Sequence, residues 1–183
     1  MMLNRIPSRG FTLVETMVAV AIVGIAIVGP LYTVQKGVVA AYVARDRLVA
    51  SSLAQEGAEY VHAIRDNNFL YNIANPGSPR SWLYGLNGAG GSTDCTGTYG
   101  CRVDPPQNTV TVCTATCSPL NLSSAGIYNH QALSGGNVAT KFTRTVTLTA
   151  VSTTEAKVTV TVTWVTVGVP YSVTVTENLQ NWL

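Results

Sequence analysis

The chain has 183 residues, enough for one globular domain and an extended element. It is 46% hydrophobic and only 11% charged, against roughly 25% charged residues in an ordinary soluble domain, so part of it is not built for water. The formal net charge is +2, and removing the first ten residues, which hold Arg5 and Arg9, leaves nine basic residues against nine acidic ones. That balance gives no general electrostatic case for nucleic acid.

From Phe11 to Val34 the chain is apolar apart from Glu15 and a few small hydroxyl residues. As a helix this run spans about 36 Å, enough to cross a hydrocarbon core of about 30 Å. Arg5 and Arg9 precede it, which predicts a cytoplasmic N-terminus with the remainder outside. A secretory signal peptide has a shorter apolar stretch, about 7 to 15 residues, and no charge within it. A plain membrane anchor fits the length but gives no reason for Glu15, since a charge at lipid depth costs roughly 2.5 to 3.5 kcal/mol on insertion scales.

The segment SRGFTLVET, in which Gly10 is followed by Phe11, Thr12, Leu13, Val14 and Glu15 and then by about twenty apolar residues, closely resembles the class III leader of type IV prepilins and type II secretion pseudopilins. The resemblance implies cleavage after Gly10 by a membrane prepilin peptidase and methylation of the new N-terminus at Phe11. It also implies a fold: α+β, ladle-like, a long N-terminal helix whose first half spans the membrane, packed against a C-terminal antiparallel sheet. Glu15, with Thr12 beside it, becomes an assembly residue. Cleavage creates an amine four residues before the acid, and a carboxylate in a low-dielectric filament core is far less costly when it meets a neighbouring subunit's amine.

Gly29 and Pro30 interrupt the helical pattern. A proline removes one backbone hydrogen bond and crowds the preceding turn, so a kink or local melting is expected, aided by Gly24; the family melts this part of its helix on assembly. Beyond it, Val49, Leu53, Gly57, Tyr60 and Ile64 recur at helical spacing with Ala50, Ala54 and Val61 beside them, which predicts one face packed on a domain. A helix through Asp66 would be about 84 Å long, with Asn67 and Asn68 as its stop. His62 has no catalytic partner in sequence and reads as a residue of the polar face. The expected organisation is a cleaved leader over 1–10, a hydrophobic helix over 11–38, its amphipathic continuation over 39–68, a loop-rich connector over 69–117 and an antiparallel sheet over 118–183.

The connector carries NPGSP, NGAGGSTD and TGTYG, turn-forming clusters with Trp82, Leu83, Tyr84 and Leu86 available to pin them to the core. No GK[ST] follows the glycines, so they are not a phosphate loop. Cys95, Cys101, Cys113 and Cys117 in an exported chain read as two disulfides with three possible connectivities, of which the short-range pairs Cys95–Cys101 and Cys113–Cys117 are preferred. Zinc is the alternative, although C-x5-C and C-x3-C are not knuckle spacings and His130 is the nearest histidine.

The last forty-five residues alternate with period two. Val146, Leu148 and Ala150 oppose Thr145, Thr147 and Thr149; Val158, Val160, Val162 and Trp164 oppose Thr159, Thr161 and Thr163; Tyr171, Val173 and Val175 oppose Ser172, Thr174 and Thr176. Three antiparallel strands are predicted, apolar face on the helix and threonine face outward, with an earlier strand near Thr109–Thr114 and with Leu179 and Trp182 returning to the core edge.

No nucleophile, base and orienting acid can be assembled, so the expectation is a structural protein without cofactor or metal. The resemblance implies a filament subunit held in the inner membrane and polymerised through its N-terminal helix with other pilin or pseudopilin subunits, on an inner-membrane assembly platform driven by a separate motor ATPase. The stretch LAQEGAEYVHAIRDNN looks like minor pilins and I-type minor pseudopilins. The bulky connector and its cysteines favour a pilus over a secretion machine. The competing class is an adhesion or DNA-uptake pilin, for which Lys141, Arg144 and Arg102 are the candidate basic patch; DNA contact stays open at this point.

Overall fold

The computed structural model describes residues 10–181, so the leader before Gly10, with Arg5 and Arg9, and the expected return of Trp182 lie outside the described residues. A single helix, α1, runs Leu13–Ala74. The chain divides after Val43 into two compact units. Within the first, residues 13–42 are all exposed, including Leu13, Val14, Met17, Ile22, Ile25 and Leu31. An 18-residue window there has mean hydropathy 2.3 with none of it buried. A surface this apolar suits lipid or other apolar helices, where the backbone must satisfy its own hydrogen bonds and helix is therefore enforced even through valine and isoleucine.

The helix stops at Ala74 rather than at Asn67 and Asn68. Asn75 precedes Pro76, and the proline ring disfavours helical backbone at the residue before it. Asn68 is instead buried inside the last turns, and its side-chain amide donates to the carbonyls of Trp82 at 3.0 Å and Tyr84 at 2.9 Å, tying the connector to the helix.

In the second unit, α1 buries Ala50, Leu53, Ala54, Gly57, Ala58 and Val61, with Val49, Tyr60 and Ile64 packed at the margin. Small residues along this stripe let the helix lie close on the sheet: a Cβ on Gly57 would stand 3.0 Å from Val160 Cγ1 and 3.1 Å from Arg144 Cδ. The sheet is antiparallel and five-stranded. Its strands are β1 (Cys101–Asp104), β2 (Thr109–Val112), β6 (Thr143–Ala150), β7 (Glu155–Thr166) and β8 (Val169–Gln180), in the order β2-β1-β6-β7-β8. β7 and β8 pair over twelve residues from Glu155↔Gln180 to Thr166↔Val169, and this register puts Val158, Val160, Val162 and Trp164 inside and Thr159, Thr161 and Thr163 on the other face. Leu179 is fully buried.

Two strands of the main sheet therefore come from the 69–117 segment expected to be loop-rich. Conversely, residues 118–142 add nothing to that sheet; they form a second, three-stranded one from β3 (Asn121–Leu122), β4 (Tyr128–Asn129) and β5 (Val138–Ala139), in the order β4-β3-β5. Leu83 and Leu86 of the connector enter the core, while Trp82 is half-buried and Tyr84 exposed.

Candidate functional site

The residues around Gly10 stand in the open. Gly10 is exposed, Phe11 is 82% exposed, and Glu15 lies exposed in the first turn of α1. Thr12 precedes that helix, and its hydroxyl accepts the Glu15 backbone N–H at 3.3 Å while its carbonyl accepts the Thr16 N–H at 3.2 Å. Thr12-Leu-Val-Glu15 thus has the spacing of a capping box, a local signal written in the sequence itself. The helix begins at Leu13, three residues after Gly10, so this cap would survive a cut there. An acid in the first turn also faces the positive end of the helix dipole. Among the described residues the Glu15 carboxylate meets no cation. Gly29 and Pro30 lie inside α1, which stays helical through both, and the Thr33 hydroxyl donates to the Pro30 carbonyl at 2.8 Å.

In the second unit three polar ties join the helix to the strands, none of them expected from sequence. Asp46, 7% exposed, accepts from Lys141 Nζ at 2.5 Å and from the Thr166 hydroxyl at 2.6 Å. Burial pushes its carboxyl up, but the hydrogen bonds from Lys141 and Thr166 and the Lys141 charge outweigh this and hold it below the usual carboxylate value. Arg144 is fully buried on the apolar side of β6 and donates to Glu56 Oε2 at 2.6 Å, to the Leu53 carbonyl at 3.0 Å and to the Val103 carbonyl at 2.8 Å. His62 Nε2 meets Glu177 Oε2 at 2.6 Å.

These ties correct the candidate DNA patch. Arg144 has no exposed surface and Lys141 is committed to Asp46, so Lys141, Arg144 and Arg102 do not form a free cationic face. Local period-two alternation puts Arg144 on the same side as Val146 and Leu148, which is the signal that would have found it.

The four cysteines form Cys95–Cys101 and Cys113–Cys117, all four buried. With every sulfur in a disulfide, no thiolate is left to ligate zinc. Both bridges fasten the β1–β2 hairpin: Cys101 opens β1, and Cys113, just after β2, donates its N–H to the Gly100 carbonyl at 2.9 Å.

Residues 6–29 match the family model described as the prokaryotic N-terminal methylation motif. No curated protein and no solved structure is matched by the chain. The chain therefore carries a type IV prepilin-like signal at the head of a pilin-like α+β architecture. That motif implies processing by prepilin peptidase and assembly with other pilins, and it points to a structural subunit rather than an enzyme. The exposed apolar helix beside it fits membrane anchoring before assembly.

Proposed function

We propose that this protein is a minor structural subunit of a type IV pilus, cut after Gly10, methylated at Phe11 and polymerised through its N-terminal helix. The observation that carries this reading is the methylation motif over residues 6–29, set on a helix whose residues 13–42 are entirely exposed and apolar enough to cross a membrane. In this reading the N-terminus is cytoplasmic before assembly, the apolar segments bundle in the filament core, and the sheet unit faces the periplasm or the exterior. Glu15 pairs with the new amine of a neighbouring subunit and sets the axial register. Gly29 and Pro30 are the place where the helix yields on assembly, since proline already lacks one of its hydrogen bonds. The disulfide-fastened hairpin favours a pilus over a type II secretion pseudopilus.

Mass spectrometry of the membrane-extracted chain tests the processing step: the expected N-terminal peptide begins at Phe11 and carries one methyl group. A chain that still begins at Met1, or that is cut after Ala44, ends this reading. Glu15→Val is expected to insert normally and to fail in assembly, and filaments of ordinary abundance from that variant would remove the role given to the acid.

A further inference from the structure

The outward face of the β7–β8 hairpin changes character at its tip. Its paired positions are hydroxyl residues for three rungs: Thr159 opposite Thr176, Thr161 opposite Thr174 and Thr163 opposite Ser172. The next rung, Val165 opposite Pro170, is apolar and exposed, Val165 by 54%. The two-residue loop beyond it, Val167-Gly168, has positive φ at both positions, 51° and 75°, as a type I′ turn requires. Asparagine, aspartate or glycine is the ordinary choice at the first of these, and a β-branched residue there is strained. Val167 is nevertheless 72% exposed, and Val169 is 50% exposed. A strained valine held in water does nothing for the fold, so its apolar surface has its use outside the chain.

The place of the tip in its unit indicates what it meets. Contacts of the hairpin with α1 step down the helix: Glu177, paired with Val158, meets His62; Val160 lies against Gly57; and the Thr166 hydroxyl donates to Asp46. The tip therefore lies at the end of the unit that the chain enters at Ala44. Between Glu15 and Arg45 the only charge is Lys36, and as a helix that stretch is about 43 Å long, close to the roughly 40–45 Å of a bilayer with its headgroups. Arg45 and Arg47 are exposed where it ends, and the Arg47 guanidinium lies 5.8 Å from the Tyr171 ring of β8. Asp46 between them is already neutralised by Lys141. This end of the unit is thus apolar and cationic together, the complement of an anionic headgroup layer.

We propose that the hairpin tip, Val165 to Pro170, docks on the lipid surface from which α1 emerges, with its valines at the headgroup boundary and Arg45 and Arg47 against lipid phosphate. The contact holds the sheet unit down on the bilayer before assembly and is given up when the subunit leaves the membrane. The proposal rests on the membrane anchoring of α1.

The test uses the full chain, one copy per nanodisc of phosphatidylcholine and phosphatidylglycerol, followed by NMR of valine and isoleucine methyls. A nitroxide carried near the lipid headgroup should broaden Val165, Val167 and Val169 several-fold more than Val151, which is 56% exposed just before the opposite end of β7. Omitting phosphatidylglycerol should weaken the effect. Val165→Thr combined with Val167→Asn should lower the docked-to-free ratio, read at Val169, by about tenfold, the scale of withdrawing two partly inserted valines from an apolar phase. The same variant should keep or raise the urea midpoint, because asparagine accepts the positive φ. Broadening at the tip no greater than at Val151, an undiminished effect in the variant, a lowered urea midpoint, or tip shifts that appear only with two copies per disc, which would make a second chain the partner, would each overturn the proposal. A nitroxide at the acyl-chain end reports on Ile22 and Val28 separately. If these stay sharp, the anchoring of α1 falls and the proposal with it; if they broaden while the tip does not, the proposal alone falls.

Discussion

Arg144 offers the sharpest test of how the sheet unit is held together. Its guanidinium has no exposed surface and reaches three acceptors on two elements: the Leu53 carbonyl and Glu56 on α1, and the Val103 carbonyl on β1. Glu56→Gln leaves the cation in place without its counter-charge. Removing one partner of a fully buried pair costs about 3 to 5 kcal/mol, but the Glu56 side chain is 38% exposed, and that screening reduces the expected loss to about 2 kcal/mol. Arg144→Met removes the charge while keeping similar bulk; the Leu53 carbonyl keeps its helical partner, but the Val103 carbonyl is stranded, at about 1 to 3 kcal/mol where no water reaches it, and the Glu56 carboxylate loses its counter-charge. The expected loss is about 3 kcal/mol. Once Arg144 is gone, Glu56→Gln should cost almost nothing further, so a double-mutant cycle should show a coupling of about 1 to 2 kcal/mol. Urea unfolding of the full chain, followed by tryptophan fluorescence in which the buried Trp164 reports the core, measures all four corners. Two single variants each within about 0.5 kcal/mol of wild type, with no coupling, would show that Arg144 is solvated and refute the reasoning.

Gly100→Ala should be among the most damaging single changes: its φ of +61° disfavours a side chain, and the added Cβ would stand 2.4 Å from the Val146 carbonyl, so a loss of about 3 kcal/mol or more is expected in the same urea assay. Opening the Cys95–Cys101 bridge, which closes a six-residue separation, should lower stability by about 2 kcal/mol on loop-entropy grounds, read as the difference between Cys95→Ser/Cys101→Ser and wild type. The fold should also lose stability in acid. His130 falls from 6.5 to about 4 on folding, so the neutral ring is favoured in the native state; its contribution is complete above about 6.5 and is lost as pH falls toward 4. Asp46, also held below its ordinary value, extends that loss to lower pH. Melting temperatures should therefore decline steadily below pH ~6.5, and His130→Gln should flatten the slope between about 6.5 and 4.

The N-terminal signal, the apolar helix and the three C-terminal strands are local properties, written in residues a few positions apart. Cleavage chemistry is read from a short contiguous segment, a helix from spacing of three or four, and a half-buried strand from the alternation of valine with threonine in β7 and β8. The pairing partners of β1 and β2 are nonlocal. Cys101–Asp104 alternates apolar Cys101 and Val103 with polar Arg102 and Asp104, but over four residues in a turn-rich stretch that is too short a pattern to read as a strand, and it becomes an interior one only because β2 and β6 lie beside it. The helix end is nonlocal for the same kind of reason: Asn67 and Asn68 have the chemistry of a stop, but Asn68 finds carbonyls in the connector and the helix continues to Ala74, just before the residue that Pro76 disfavours. Arg144 has the clearest lesson. By composition it is a surface cation, and only the tertiary structure supplies, from residues 53, 56 and 103, the acceptors that allow its charge to be buried.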